Sequence, residues 1–248
     1  MTMRCAAVAA ILTTTILVLG PTSLARAQGV DNTRTVFFSI GTGLGLSGNV
    51  HNEATGTVLE QPTVIVEQSF SNIYSDGLRV RVGGSVGFDY NKEFFGTFNY
   101  GRLNANNRLV GSIAGYALEA RFANARTIDL EGGVRFYMNP EGPVRTYVAA
   151  VGGLRFLDEI TATLLVKELG ITLEDRPFYK SSTLFIFGGD AGMSREISPT
   201  VDIGAEVGLR YQPKPGQADL LLGEGLDEVN DAGSRWSLPL SVFLNWRF

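Results

Sequence analysis

Arg235-Trp-Ser-Leu-Pro-Leu-Ser-Val-Phe-Leu-Asn-Trp-Arg-Phe248 ends the 248-residue chain, and its alternation decides the fold. Trp236, Leu238, Leu240, Val242, Leu244, Trp246 and Phe248 share one face of an extended strand. Arg235, Ser237, Pro239, Ser241, Asn245 and Arg247 share the other, and Phe243 alone breaks the order. Period two is the signature of a strand with unlike faces, because successive side chains point to opposite sides. Strands of soluble proteins usually stop after about five or six residues. About 9–11 tilted residues cross the hydrocarbon layer of a membrane.

The same plan recurs upstream. Val36, Phe38, Ile40, Thr42, Leu44 and Leu46 alternate with Thr35, Ser39, Gly41, Gly43, Gly45 and Ser47, with Phe37 out of phase. Leu78, Val80, Val82, Val86, Phe88 and Tyr90 oppose Arg79, Arg81, Gly83, Ser85, Gly87 and Asp89. Ile128, Leu130, Val134, Phe136 and Met138 oppose Asp129, Glu131, Gly133, Arg135 and Tyr137. Val201, Ile203, Ala205, Val207, Leu209 and Tyr211 oppose Asp202, Gly204, Glu206, Gly208 and Arg210. Fainter strands fit at 94–102, 144–156 and 183–195; in the last, Phe185, Phe187, Ala191 and Met193 point outward while Leu184 and Ile186 blur the phase. Short connections fall at 91–93, 139–143 and 198–200, rich in residues that tight turns need. Long ones fall near 49–77, 103–127, 157–182 and 212–233. This predicts a closed antiparallel up-and-down β-barrel of eight strands, with three tight turns at one end and four long loops at the other. The second and third long loops have room for a further hairpin.

Residues 1–27 read as a cleavable secretory signal: Arg4, an apolar run, then Ala25-Arg26-Ala27 before Gln28. Residues 28–248 would then form one barrel domain. The single cysteine, Cys5, lies in that signal, which removes disulfides and cysteine-based metal sites from the remainder. Without Arg4 and Arg26 the formal charge falls from −4 to about −6, against a general nucleic-acid binder. Past the signal, no apolar run is long enough for a transmembrane helix.

Period alone does not say which face is inside. A soluble lipocalin-like lipid binder also alternates, with its apolar face inward. Glycine and serine crowd the polar face, as a narrow interior requires. Phe88, Tyr90 and Phe94 gather at the turn end, and Phe156, Tyr211 and Trp236 toward the loops, where interfacial girdles belong. Sheet edges left open in lipid would cost several kcal/mol per unpaired group, so a spanning sheet must close.

With Leu240, Val242, Leu244, Trp246 and Phe248 in register, the last strand resembles the C-terminal strand of bacterial outer-membrane β-barrel proteins. In length and strand number the chain is similar to the small group of OmpA-like transmembrane, OmpX-like and opacity-type barrels. The resemblance implies recognition of that strand by the barrel-assembly machinery, escort by periplasmic chaperones, and residence in the outer membrane among its lipids and lipopolysaccharide.

Candidate functional residues follow from the inward face. Asp89, Asp129, Glu131, Asp190, Asp202 and Glu206 are set against Arg79, Arg81, Arg135, Arg155, Arg210 and Arg247. An eight-stranded bore holds little beyond side chains, so layers of ion pairs are expected, either as a plug or as a gate for small ions. His51, the sole histidine, lies in the first long loop, and nothing near Ser47 completes a catalytic relay. Histidine-cluster metal sites are excluded on the same ground, and no cofactor is expected. Gly43-Leu-Gly-Leu-Ser-Gly48 matches a dinucleotide-loop spacing, yet no helical stripe follows it. Glu224, Asp227, Glu228 and Asp231 make the last loop acidic without EF-hand spacing. The stretch 164–169 reads as a short helix or a strand extension. The expectation is therefore a non-enzymatic outer-membrane barrel that presents loops for adhesion, as a surface antigen or for envelope integrity, with loops free to bind a host or surface ligand and no nucleic acid. A narrow porin-like channel and the soluble lipid binder are the competing classes.

Overall fold

The barrel closes between its first and last strands. The computed structural model describes residues 33–75, 77–219, 225–227, 229–231 and 233–248. The expected signal, 1–27, lies outside them, as do Glu224 and Glu228. The barrel strands are β1 (Arg34–Gly45), β2 (Arg79–Asp89), β3 (Lys92–Ala105), β4 (Ala125–Tyr137), β5 (Val144–Leu157), β6 (Ser182–Ser198), β7 (Val201–Gln212) and β8 (Arg235–Arg247). Each pairs antiparallel with its neighbours in sequence. The seam runs from Thr35 opposite Arg247 to Gly45 opposite Ser237, joining β1 to β8. Among the described residues no helix is long and apolar enough to cross a membrane.

Exposure decides which face is inside. Phe38, Val82, Phe94, Phe185, Met193 and Val242 on the outer wall are 42–61% exposed. Arg81, Asp129, Arg135 and Arg210 in the lumen are 5% exposed or less. A soluble barrel would show the reverse, so the lipocalin-like alternative is set aside and the apolar belt faces lipid. Rings cluster at both rims of the belt. Phe88 stacks on Phe94 at 4.1 Å near the turns, and Tyr211 lies 4.9 Å from Phe187 and 5.2 Å from Trp236 near the loops.

The residues that broke the alternation are interior. Phe37, Phe243, Leu184 and Ile186 are all buried. Room for inward rings comes from glycine across the sheet. A Cβ on Gly204 would lie 2.2 Å from the Phe243 ring, and one on Gly192 would lie 2.5 Å from the Tyr147 ring.

The long loops differ from the expectation. Hairpins form in the first three of them, not only in the second or third. The pairs are Ala54–Val58 with Gln61–Ile65, Arg108–Ile113 with Tyr116–Phe122, and Ile160–Val166 with Ile171–Tyr179. Together they build a second, six-stranded sheet, here called the head. The stretch 164–169 divides between the strand Ile160–Val166 and a 3-10 turn, Lys167–Leu169, closed by Gly170 at φ 63°. One apolar core joins Val58, Ile65, Val110, Leu118, Phe122 and Phe178 of these loops to Ala125 and Leu157 at the barrel rim. Leu226 and Val229 add the fourth loop to the same core.

Placing a charge in the belt tests its orientation. Val242→Arg, between Ile40 of β1 and Ala205 of β7, is expected to cost about 2–4 kcal/mol. Denaturant titration of barrels folded into phospholipid vesicles measures this, and an unchanged midpoint would contradict a lipid-facing Val242.

Candidate functional site: the lumen and the head above it

The strand phase that turns apolar side chains to lipid turns charges into the lumen, where they meet in tiers. Nearest the turns, Asp202 accepts from Arg145 and, at 3.1 Å, from Arg247 Nη2, which also reaches Glu196 at 2.9 Å. Above it, Glu93 accepts from Arg135, from the Ser85 hydroxyl at 3.0 Å and from the Tyr137 hydroxyl at 3.0 Å. The Arg135 guanidinium lies 5.0 Å from the centre of the Phe95 ring and 4.5 Å from that of Tyr147. Such contacts favour a cation already taken out of water. Tyr147 donates to Glu206 at 2.7 Å, and Arg81 Nη2 lies 2.7 Å from the other Glu206 oxygen.

The loop-side tier is denser. Arg210 donates to Asp190 at 2.6 and 3.0 Å and to Glu131 at 3.2 and 3.3 Å. Arg79 reaches Glu131 at 3.0 Å and Asp129 at 3.4 Å. Arg155 grips Asp129 with two 2.7 Å bonds and passes a third to Gln212. Arg235 donates to the same Gln212 oxygen at 2.9 Å, and its guanidinium lies 4.1 Å from the centre of the Phe70 ring in the first loop. The polar column therefore ends directly beneath the head.

Two spaces remain. A space between Arg81, Glu206 and Arg210 holds about 10 Å³, room for about one water. A vestibule of about 170 Å³ lies at the turn end, lined by Thr35, Glu93, Tyr137, Arg145, Asp202 and Arg247.

Arg79, Arg81, Asp129, Glu131, Arg135, Asp190, Asp202, Glu206 and Arg210 thus come together in the lumen. Asp89 does not. It sits at the first turn, 49% exposed in its side chain, and accepts from Lys92 at 2.5 Å. Sequence reasoning missed Glu93, assigned to the turn although the tight turn ends before Lys92. Its parity with Phe95, Thr97 and Asn99, all buried, was the available signal. Arg145 was missed although it shares parity with Arg155. Leu240, Val242, Trp246 and Phe248 of the last strand all face outward, 37–63% exposed.

His51 ends the short strand Asn49–His51 and is 2% exposed. Its ring stacks 6.3 Å from Phe122 and meets Phe178 edge-on at 6.4 Å. Burial holds its imidazole down to about 4, opposed by the Asn52 carbonyl and the Glu67 charge. The Ser47 hydroxyl accepts from the Trp236 amide instead of approaching His51. Among the described residues no group of three or more His, Cys, Asp or Glu is placed to hold a metal.

A closed eight-stranded wall, an apolar outer belt and a charged, filled lumen define an outer-membrane β-barrel protein. Neisserial surface protein A is similar to it, at 13% identity over 89% of this chain and 100% of that one, TM-score 0.45. The outer-membrane protein OprG from Pseudomonas aeruginosa matches at 6% identity over 88% and 97%, TM-score 0.46. The outer-membrane protease OmpT from Escherichia coli matches at 10% identity over 90% and 99%, TM-score 0.41. At such identities and scores these likenesses assign no activity. No protein-family profile matches the chain, and no curated protein does.

Two measurements probe this site. Arg210→Met leaves Asp190 and Glu131 facing a gap and is expected to cost about 3–5 kcal/mol. Adding Asp190→Asn should recover part of that loss in denaturant unfolding. His51 binds a proton more readily when the head is unfolded, near the ordinary 6.5, than when folded, about 4. Stability of the head therefore falls as pH drops below about 6.5, by about 2 kcal/mol at pH 5. Faster amide exchange of the head at pH 5 than at pH 7.5, corrected for the intrinsic rate and abolished in His51→Phe, is the expected result.

Proposed function

We propose that this chain is a non-enzymatic outer-membrane protein whose barrel anchors the head, and that the head recognises an extracellular macromolecule, as an adhesin does. The observation that carries this reading is the head's own core, continuous with the barrel rim. Ordering a loop costs about 1–2 kcal/mol per residue in backbone entropy. Loops that merely join strands have no reason to bear that cost. A surface ordered in advance binds a partner without the ordering penalty.

Val64, Val66 and Leu109 support the same reading. They lie on the side of the head sheet turned away from its core and are 42–59% exposed. Neighbouring apolar side chains on an exposed sheet favour contact with another macromolecule over contact with water. His51, sealed between two phenylalanines and, among the described residues, without a serine partner, supports a non-catalytic role. The competing reading, a narrow channel, requires the Arg81–Glu206 and Arg210–Asp190 pairs to part and the head to lift.

Cells displaying the protein are expected to adhere to host cells or matrix. Val64→Glu with Leu109→Glu should lower adhesion at least about tenfold, a loss of about 1.4 kcal/mol, with surface display unchanged. In planar bilayers neither form should conduct. Steady conductance by the wild type, together with adhesion indifferent to the two substitutions, would refute the proposal.

A further inference from the structure

The outer wall of β3 and β4 carries a feature that lipid contact alone does not explain. On β2 to β5, one outward row consists of Val80, Tyr100, Ile128 and Phe156, register partners across four strands. Tyr100 and Phe156 are each 39% exposed, as expected at the rim of the belt. The next outward row, one step nearer the head, sets Arg102 directly opposite Arg126. Leu78 flanks Arg102, whose amide bonds to its carbonyl at 3.0 Å. Asp158 flanks Arg126, bonding to its carbonyl at 3.3 Å. One step further out the column turns polar with exposed Asn104 and Asn124.

Directly opposed residues on neighbouring strands have Cβ atoms about 4.5–5.5 Å apart, and like charges in such a pair repel. Both arginines are exposed. Among the described residues neither guanidinium makes a hydrogen bond or an ion pair, and Asp158 makes no ion pair with either. The lumen of the same protein sets nearly every arginine against a carboxylate. The contrast marks this pair as one whose counter-ion comes from outside the chain. Its depth says where that counter-ion lies, because the row sits between the aromatic rim and the polar head. There a membrane presents its headgroups.

We propose that Arg102 and Arg126 form a binding site for the phosphate of an outer-leaflet phospholipid or phosphorylated glycolipid, with its acyl chains along Val80, Tyr100, Ile128 and Phe156. Two guanidiniums offer paired donors that match the oxygens of one phosphate. Binding removes the repulsion between them, so the bound lipid also braces the β3–β4 edge under the head. This site is independent of what the head recognises.

The test uses the full-length protein folded in neutral detergent and native mass spectrometry of retained lipid. The probes are diphosphoryl lipid A, the same lipid enzymatically dephosphorylated, and inorganic phosphate as a competitor. Wild-type protein should retain diphosphoryl lipid A about tenfold more strongly than the dephosphorylated form. Arg102→Gln with Arg126→Gln should lose that preference while keeping heat-modifiable gel mobility, the sign of a folded barrel. Equal retention of the two lipids by the wild type overturns the site, whatever the variant does. Displacement of the lipid by equimolar inorganic phosphate overturns the assignment to a lipid headgroup.

Discussion

Hydrocarbon offers no partner to an amide, and the rest of this molecule depends on that constraint. Every strand inside the membrane must be paired on both sides, so the sheet has to return to its own first strand. The seam between β1 and β8 achieves this over its whole length, from Thr35 opposite Arg247 to Gly45 opposite Ser237. Once the wall is closed, each strand's two faces have separate fates. Residues of one parity meet lipid, and residues of the other must fit a bore too narrow for anything but side chains.

That narrow bore explains the lumen. Charges removed from water are tolerated only when paired and hydrogen-bonded. Arg210 meets that requirement with Asp190 and Glu131, and Arg81 is ion-paired to Glu206 at 2.7 Å while its Nε donates to the Ser39 hydroxyl at 3.1 Å. Inward aromatic rings fill what remains, and Gly192 and Gly204 give them the space a side chain would occupy. Arg135 belongs to both systems, held by Glu93 and Glu206 and surrounded by Phe37, Phe95 and Tyr147.

At the loop end the physics changes, because water returns. A loop there needs no closed sheet, and it folds only if it buries enough apolar surface to offset the entropy of ordering. Three hairpins from three separate loops achieve this by sharing one core, with Val58, Val110 and Val166 buried from different loops. The lumen column meets that core where Arg235 lies against Phe70. Barrel and head are thereby joined by a cation over an aromatic ring as well as by the apolar rim.

The strands and their two faces were legible in the sequence because period two is a local property. Trp246, Leu244, Val242 and Leu240 declare their parity without reference to any other strand. Phe37 and Phe243 read as defects in that pattern, because only packing across the lumen shows that the interior needs rings. Glu93 and Arg145 were readable by parity yet hidden by their nearness to turns, whose limits depend on hydrogen bonds. Of the head, only room for a hairpin in the second or third long loop was legible, not the shared sheet. Its strands are short, with mixed patterns, and their partners lie in other loops, as Ile65 opposite Gly111 illustrates. The sequence by itself determined the barrel and its apolar belt, since alternation dictates these through closure, and it favoured eight strands; only the seam between β1 and β8 fixed that number, because the loop hairpins could equally have joined the wall. Tertiary structure alone decided which charges pair, which rings fill the bore and that the loops form a sheet. Those outcomes depend on residues far apart in the chain arriving at the same place.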